Sequence, residues 1–217
     1  MAQVKGGDKR AEKARQTRRR ILAAARELFV QQGYGATALQ DIADQAGVAV
    51  QTIYFTFGNK RTVLKELADI AIAGDDEPVA TMDRRWFREA LAAGTADAQL
   101  HGLVHGAREI LDRIAPISEV LRTASTVEPE LAALWRQQDA DPRFAVYTTA
   151  AQALMTKPGA RAELSAEHAA DVLFGLLSPE LYLVLVRERG WSSERWEQWA
   201  YGTLRAQLLQ DEAAGRR

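Results

Sequence analysis

The chain has 217 residues, a formal net charge of −1 and no cysteine, which excludes disulfides, thiolate metal sites and cysteine nucleophiles and leaves room for two small domains or one large one. No run approaches the roughly 18 to 20 apolar residues that a membrane span needs. The basic N-terminus lacks the apolar core and cleavage site of a secretory signal, so the expectation is a soluble cytoplasmic protein without membrane contact.

The near-neutral charge hides an asymmetry: residues 1–65 hold 12 Lys+Arg against 5 Asp+Glu, and the remainder holds 16 against 24. Such a basic segment is either a solvated face or a surface built to meet a polyanion. Residues 1–14 are polar and contain Gly6-Gly7, so the first 16 residues read as a mobile basic arm. From Thr17 the pattern changes: Ile21, Leu22, Ala25, Leu28 and Phe29 share one face of a helix that ends at Gly33. Arg18, Arg19 and Arg20 crowd its first turns, where the helix dipole disfavours cations, and some of them are expected against the backbone of a polyanion such as DNA.

Leu39, Ile42, Ala43 and Ala46 recur at helical spacing. Thr37 with Gln40 three residues later reads as a capping box, so this short helix starts near Ala38, and Gly47 allows a sharp turn after it. A second short helix covers Val50 to Phe55. Two helices joined by a tight glycine turn describe either an ordinary core hairpin or a helix-turn-helix, whose second helix enters the major groove. Gln51, Thr52, Tyr54 and Thr56 offer donors and acceptors, Val50 can meet a thymine methyl, and Val48 and Ile53 hold the helix in place.

After Asn59, a plausible cap, Lys60 opens a helix with Val63, Leu64, Leu67, Ile70 and Ala71 as its buried stripe, closing at Gly74. Asp75 to Pro78 reads as a boundary. Beyond it every segment reads as helix, over about 79–93, 97–114, 117–127, 130–156, 166–189 and 193–211. Pro116 separates two of these, while Pro142 and Pro179 predict a break or kink inside theirs.

The segment ATALQDIADQAGVAVQTIYFTFGNKRTVL resembles the DNA-binding part of the tetracycline-repressor (TetR) family of one-component transcriptional regulators. Thr37, Ile42-Ala43, Ala46-Gly47-Val48, Thr52-Ile53-Tyr54, Phe57 and Lys60 carry the resemblance, which covers residues 17 to about 67. Ala49 stands where the family often has a capping serine, and Val50 where a polar or basic residue is common. The resemblance implies an all-α protein: a three-helix helix-turn-helix head over 17–62, and a larger helical ligand-binding and dimerisation domain over 63–217. It implies a double-stranded DNA operator met by Thr37, Gln40, Val50, Gln51, Thr52, Tyr54, Phe55, Thr56 and Lys60, the last on phosphate. It also implies a nucleoid-associated homodimer, most simply a repressor released by a small effector. Ligand-independent action, or control through a protein partner, is the alternative.

Bulky residues over the central segments suggest walls for an apolar or aromatic effector: Met82, Trp86, Phe87, His105, Leu121, Trp135, Phe144 and Tyr147, each of which could equally be core. Helices 166–189 and 193–211 carry more apolar residues than one buried face needs. Leu173, Phe174, Leu177, Leu181, Trp196, Trp199 and Leu204 are therefore expected at a four-helix dimer interface. His101 and His105, four apart beside Asp97 and Glu109, raise a metal-responsive reading, but successive four-residue steps drift around a helix and no third ligand is marked; no metal or cofactor is expected. Catalytic signatures such as G-x-S-x-G, G-x-x-x-x-G-K-[ST] and H-E-x-x-H are missing from the sequence, so no catalytic residues are assigned.

Overall fold

In the computed structural model the described residues are 4–74, 79–126, 128–135 and 141–210. Among them there is no strand beyond an isolated antiparallel bridge between Ala160 and Leu209. The helices are α1 (Val4–Gln32), α2 (Leu39–Ala46), α3 (Val50–Phe57), α4 (Lys60–Ala73), α5 (Arg85–Ala92), α6 (Ala96–Ser125), α7 (Pro129–Trp135), α8 (Asp141–Met155), α9 (Ala166–Leu176), α10 (Pro179–Leu183) and α11 (Ser193–Leu208). A 3₁₀ turn over Thr81–Asp83 precedes α5, and a π-helical turn over Val184–Glu188 continues α10.

The first three helices form the head. Ile21, Leu22, Ala25 and Phe29 of α1, Ile42, Ala43 and Ala46 of α2, and Ile53 and Phe57 of α3 are buried together. Gly33 ends α1 with a φ of 87°, a conformation that glycine adopts without strain. Residues 4–16, expected as a mobile arm, are instead the first turns of α1. Ala, Lys, Arg and Glu favour helix, and a helix already anchored at Ile21 extends toward its N-terminus without a new nucleation cost. Glu12 supports these turns by pairing with Arg15 at 3.2 Å and accepting from Gln16 at 3.4 Å.

Helix α4 packs on both α1 and α6, and so joins the head to the rest of the chain. Asn59 caps it, Oδ1 accepting from the Thr62 N–H at 2.9 Å. At the other end Arg113 of α6 donates from Nε to the Ala71 carbonyl at 3.0 Å, satisfying an orphan acceptor of the last turn. Helix α6 is the axis of the larger part, packing against α4, α5, α7, α8, α10 and α11. It runs unbroken through Pro116, where two helices were expected. Ile114, Ala115, Ile117 and Ser118 around the proline are all buried, and that packing offsets one lost backbone hydrogen bond.

Pro179 interrupts the chain as anticipated, the 166–189 segment dividing at Ser178, whose Oγ accepts from the Leu181 N–H, while Pro142 stands second in α8 and the residues 136–140 before that helix lie outside the described residues. The 79–93 helix is shorter than expected, beginning at Arg85. Ala166–Glu188, expected to be rich in apolar residues, is also long and apolar enough to pass for a membrane span by length and composition, which corrects the expectation that no stretch approaches one. Only 33 % of its most apolar window is buried within the subunit.

Candidate nucleic-acid interface and effector cavity

The turn between α2 and α3 is held from three sides. Gly47 takes a φ of 62°, and the Val48 N–H donates to the Ala43 carbonyl at 3.0 Å. From α1, Arg20 donates to the Ala46 carbonyl through Nε at 3.1 Å and to the Gly47 carbonyl through Nη2 at 2.9 Å. A cation on the last carbonyls of α2 also complements its dipole. Arg20 is thus a clamp on the turn and not the backbone contact expected from its sequence position. Arg18 likewise turns inward, pairing with Glu66 of α4 and lying 5.6 Å from the Phe57 ring centroid.

With Ile53 and Phe57 buried, α3 presents Gln51, Tyr54, Phe55 and Thr56 outward. Tyr54 is 55 % and Phe55 94 % exposed, an unusual cost for two aromatics on a short helix. Gln51, Tyr54 and Phe55 are spaced i, i+3, i+4 and share a face. The Thr56 hydroxyl donates to the Thr52 carbonyl at 2.7 Å, and Thr52 is half-buried. Val50 is half-buried against the core, so only part of it is open to a base edge.

Two residues expected at the interface, Thr37 and Lys60, serve the scaffold instead. Thr37 is 1 % exposed; its hydroxyl donates to the Gly33 carbonyl at 2.8 Å and accepts from Gln32 at 3.3 Å. In place of the capping box read from sequence, Ala38 is the cap; it has no side-chain acceptor, and the half of the box that forms is its own N–H donating to Asp41 Oδ2 at 2.8 Å. Gln40 is outside it, exposed and donating to Asp44 at 2.7 Å. Lys60 Nζ donates to the Tyr34 and Thr37 carbonyls at 2.8 and 2.9 Å and lies 4.1 Å from the Tyr34 ring centroid. Burial lowers the Lys60 pKa and, with Glu128 beside it, raises that of Tyr34 to about 12. Lys60 therefore ties the α1–α2 loop to the start of α4.

Between α5, α6 and α8 lies an apolar cavity of about 100 Å³. Trp86, Phe87 and Tyr147 line it as expected, with Leu103, Ile110, Ile114 and Arg143 among the other wall residues. Trp86 lies flat enough on α6 that a Cβ at Gly106 would fall 2.3 Å from its ring, so this wall requires glycine there. Met82 lines a neighbouring cleft of about 600 Å³, along with Arg18 of the head and Glu66 and Asp69 of α4; Ile72, Thr81, Pro142 and Val146 border both spaces. The other expected wall residues are elsewhere. Leu121 is in the core, Phe144 is 39 % exposed and edge-on to Phe174, and the Trp135 side chain lies outside the described residues. His105 sits on the outer side of α6, Nδ1 3.0 Å from Glu197.

The profile of bacterial regulatory proteins of the tetR family matches residues 21–67, the span of the buried head. Among curated proteins the chain is 36 % identical over 93 residues to the uncharacterized HTH-type transcriptional regulator TtgW of Pseudomonas putida, covering 42 % of this chain and 68 % of that one. The chain belongs to the TetR family. It is also 41 % identical over 58 residues to the P. putida HTH-type regulator TtgR, a match that spans 27 % of this chain and 28 % of TtgR, so less than a third of that relative's length is matched. The fold extends further than the sequence match. A putative transcriptional regulator from Saccharomonospora viridis, solved with choline, superposes with a TM-score of 0.66 at 21 % identity, covering 90 % of this chain and 99 % of that one.

Within this TetR-family fold, the residues expected at a subunit interface divide in two. Leu173, Leu177, Trp196 and Leu204 are each 0 % exposed, their surface consumed by the subunit's own core. A sequence pattern cannot separate the two faces of a helix that is apolar on both. Phe174, Leu181 and Trp199 are only partly buried, and Val184, at 41 % exposed, joins them. The histidine pair does not converge: His101 stands edge-on to Tyr201, while His105 faces Glu197 and Glu109. Among the described residues no group of three or more His, Asp or Glu side chains is placed to hold one ion. Of the cavity residues, Arg143 and Ile110 went unnoticed in the sequence, where no periodicity or motif marks them.

Proposed function

We propose that this protein is a transcriptional regulator and not an enzyme: a cytoplasmic, nucleoid-associated homodimer that represses by holding an operator through α3, and that a small apolar ligand in the α5–α6–α8 cavity releases. The outward face of α3 carries the reading. Gln51, Tyr54 and Phe55 stand in solvent on a helix whose opposite face is locked into the head, an arrangement that costs solubility unless a partner covers it. In a major groove the Gln51 amide can pair with adenine, Phe55 can meet thymine methyls and the Tyr54 hydroxyl can reach phosphate. Exposed Lys9, Arg10 and Lys13 on the N-terminal turns of α1 add sequence-independent attraction.

Two copies are needed to read half-sites roughly 34–36 Å apart, and the incompletely buried apolar stretch over 166–188 supports such pairing. The cavity borders Ile72 of α4 and Ile110 and Ile114 of α6, so a ligand there can favour one tilt of α4 over another and thereby change the separation of the heads. A fold neighbour was solved in complex with choline, which supports a small-molecule ligand on this fold. The deciding experiment is fluorescence anisotropy of the protein on its own upstream intergenic DNA against a scrambled duplex, over a range of salt. Tight, selective binding with a steep salt slope is expected; equal weak binding to both duplexes overturns the reading.

A further inference from the structure

We propose that the bases read by α3 form an A·T core: an adenine under Gln51 and, further along the groove, a thymine whose methyl meets Phe55. This rests on the reading of α3 as the recognition helix and specifies which bases its outward face accepts. From Gln45 to Asn59 the chain contains no Asp, Glu, Lys, Arg or His, so neither the turn nor α3 brings a charged side chain to a groove. Of the cations on α1 and α4, Arg18 is held by Glu66, Arg20 by the Ala46 and Gly47 carbonyls, Lys60 by the Tyr34 and Thr37 carbonyls, and Arg61 by Glu130 at 3.3 Å. Gln51 and Phe55, by contrast, both stand in solvent on one face of α3.

Guanine presents two acceptors in the major groove, N7 and O6, and is most often read by the donors of Arg or Lys; cytosine presents an N4 donor that suits Asp or Glu. Residues 45–59 supply none of these side chains. Adenine sets an N7 acceptor beside an N6 donor, which matches the donor and acceptor of the Gln51 amide, whereas guanine sets O6 against the amide oxygen. Phe55 has no polar side-chain atom. A G·C pair beneath it loses water from O6 or N4 and gains no hydrogen bond, while a thymine offers its methyl. The two residues are one turn apart, about 6 Å along the axis at the helical rise. Base pairs are about 3.4 Å apart, so the adenine and the thymine lie roughly two steps from each other.

Selection by the full-length protein, without added ligand, from duplexes randomised over two half-sites tests this. Enriched half-sites are expected to carry A·T pairs at the positions whose preference Gln51→Ala relaxes. On the enriched duplex each thymine is then replaced in turn by uracil, which removes only the methyl. At one position this should weaken binding of the parent by about fivefold or more and that of Phe55→Ala by less than about twofold. Phe55→Leu, which keeps an apolar tip, should stay sensitive. Replacing the adenine by 7-deazaadenine, which removes only the N7 acceptor, should weaken the parent and leave Gln51→Ala unchanged. Four results overturn the proposal and keep the operator reading, since a sequence has still been selected: G·C pairs at those positions, a parent indifferent to uracil at every thymine, an equal uracil loss in Phe55→Ala, or a 7-deazaadenine loss that persists in Gln51→Ala. Enrichment of no sequence overturns both.

Discussion

Lys60 shows how a residue typical of a DNA-binding head can serve the fold itself. Two carbonyl acceptors and an aromatic face surround its ammonium, and hydrogen bonds to a charged group contribute about 1.5–3 kcal/mol. Lys60→Met is expected to destabilise the head by about 2 kcal/mol in urea unfolding, while the salt slope of DNA binding changes by less than the ~0.9 expected for a lost phosphate contact. A slope reduced by a full contact, with stability unchanged, would return Lys60 to the interface. Its neighbour Tyr34 adds a pH signature. The unfolded chain releases the phenolic proton near 10, the folded chain near 12. Above pH 10 the unfolded state therefore binds fewer protons and is favoured, so this stabilisation is complete below pH 10 and is lost as pH rises through 12. Replacing Tyr34 by Phe should flatten the decline in melting temperature across that window.

At the scale of elements, α3 separates stability from recognition along its two faces. Phe55, 94 % exposed, contributes nothing to the core, so Phe55→Ala should leave the unfolding midpoint within about 0.5 kcal/mol of the parent, as is usual for surface sites. Its DNA affinity should nevertheless fall by roughly tenfold or more, the scale of about 1–3 kcal/mol for a good base-edge contact. Gln51→Ala should instead change which base is preferred at one position, seen by competition with a panel of single-base variants. Loss of stability in Phe55→Ala, or uniform weakening by Gln51→Ala across all duplexes, would contradict this division. Helices α4 and α6 illustrate a different dependence: the Arg113 clamp on α4 and the passage of α6 through Pro116 both arise from contacts between segments far apart in the chain.

For the whole molecule, assembly turns on the 166–188 stretch and α11. Leu173, Leu177, Trp196 and Leu204 fill the subunit core, leaving Phe174, Leu181, Val184 and Trp199 to face outward in part. Val184→Glu, on the most exposed of these, is expected to convert a micromolar dimer to monomer in equilibrium sedimentation, because pairing would bury an unpartnered charge. The helical signal of the isolated subunit should stay intact. A dimer unaffected by this change would place the interface elsewhere.

Periodicity and glycine placement were enough to reveal the head. The stripes of α1, α2 and α4, the turn at Gly47 and the buried Ile53 follow from spacings within a few residues, and local backbone rules depend on no distant partner. The break at Pro179 follows for the same reason. What the chain order alone could not decide was which partner each polar side chain meets. Thr37, Arg20 and Lys60 look identical in sequence whether they face phosphate or a backbone carbonyl, and Arg18 whether it faces phosphate or the Glu66 carboxylate; only the packing of α1 against α2, α3 and α4 supplies those partners. The same holds for Arg143, whose place in an otherwise apolar cavity depends on how α5, α6, α8 and α9 converge. Local spacing determines helices because their hydrogen bonds are local; sites and interfaces are determined by tertiary structure because their partners come from distant segments.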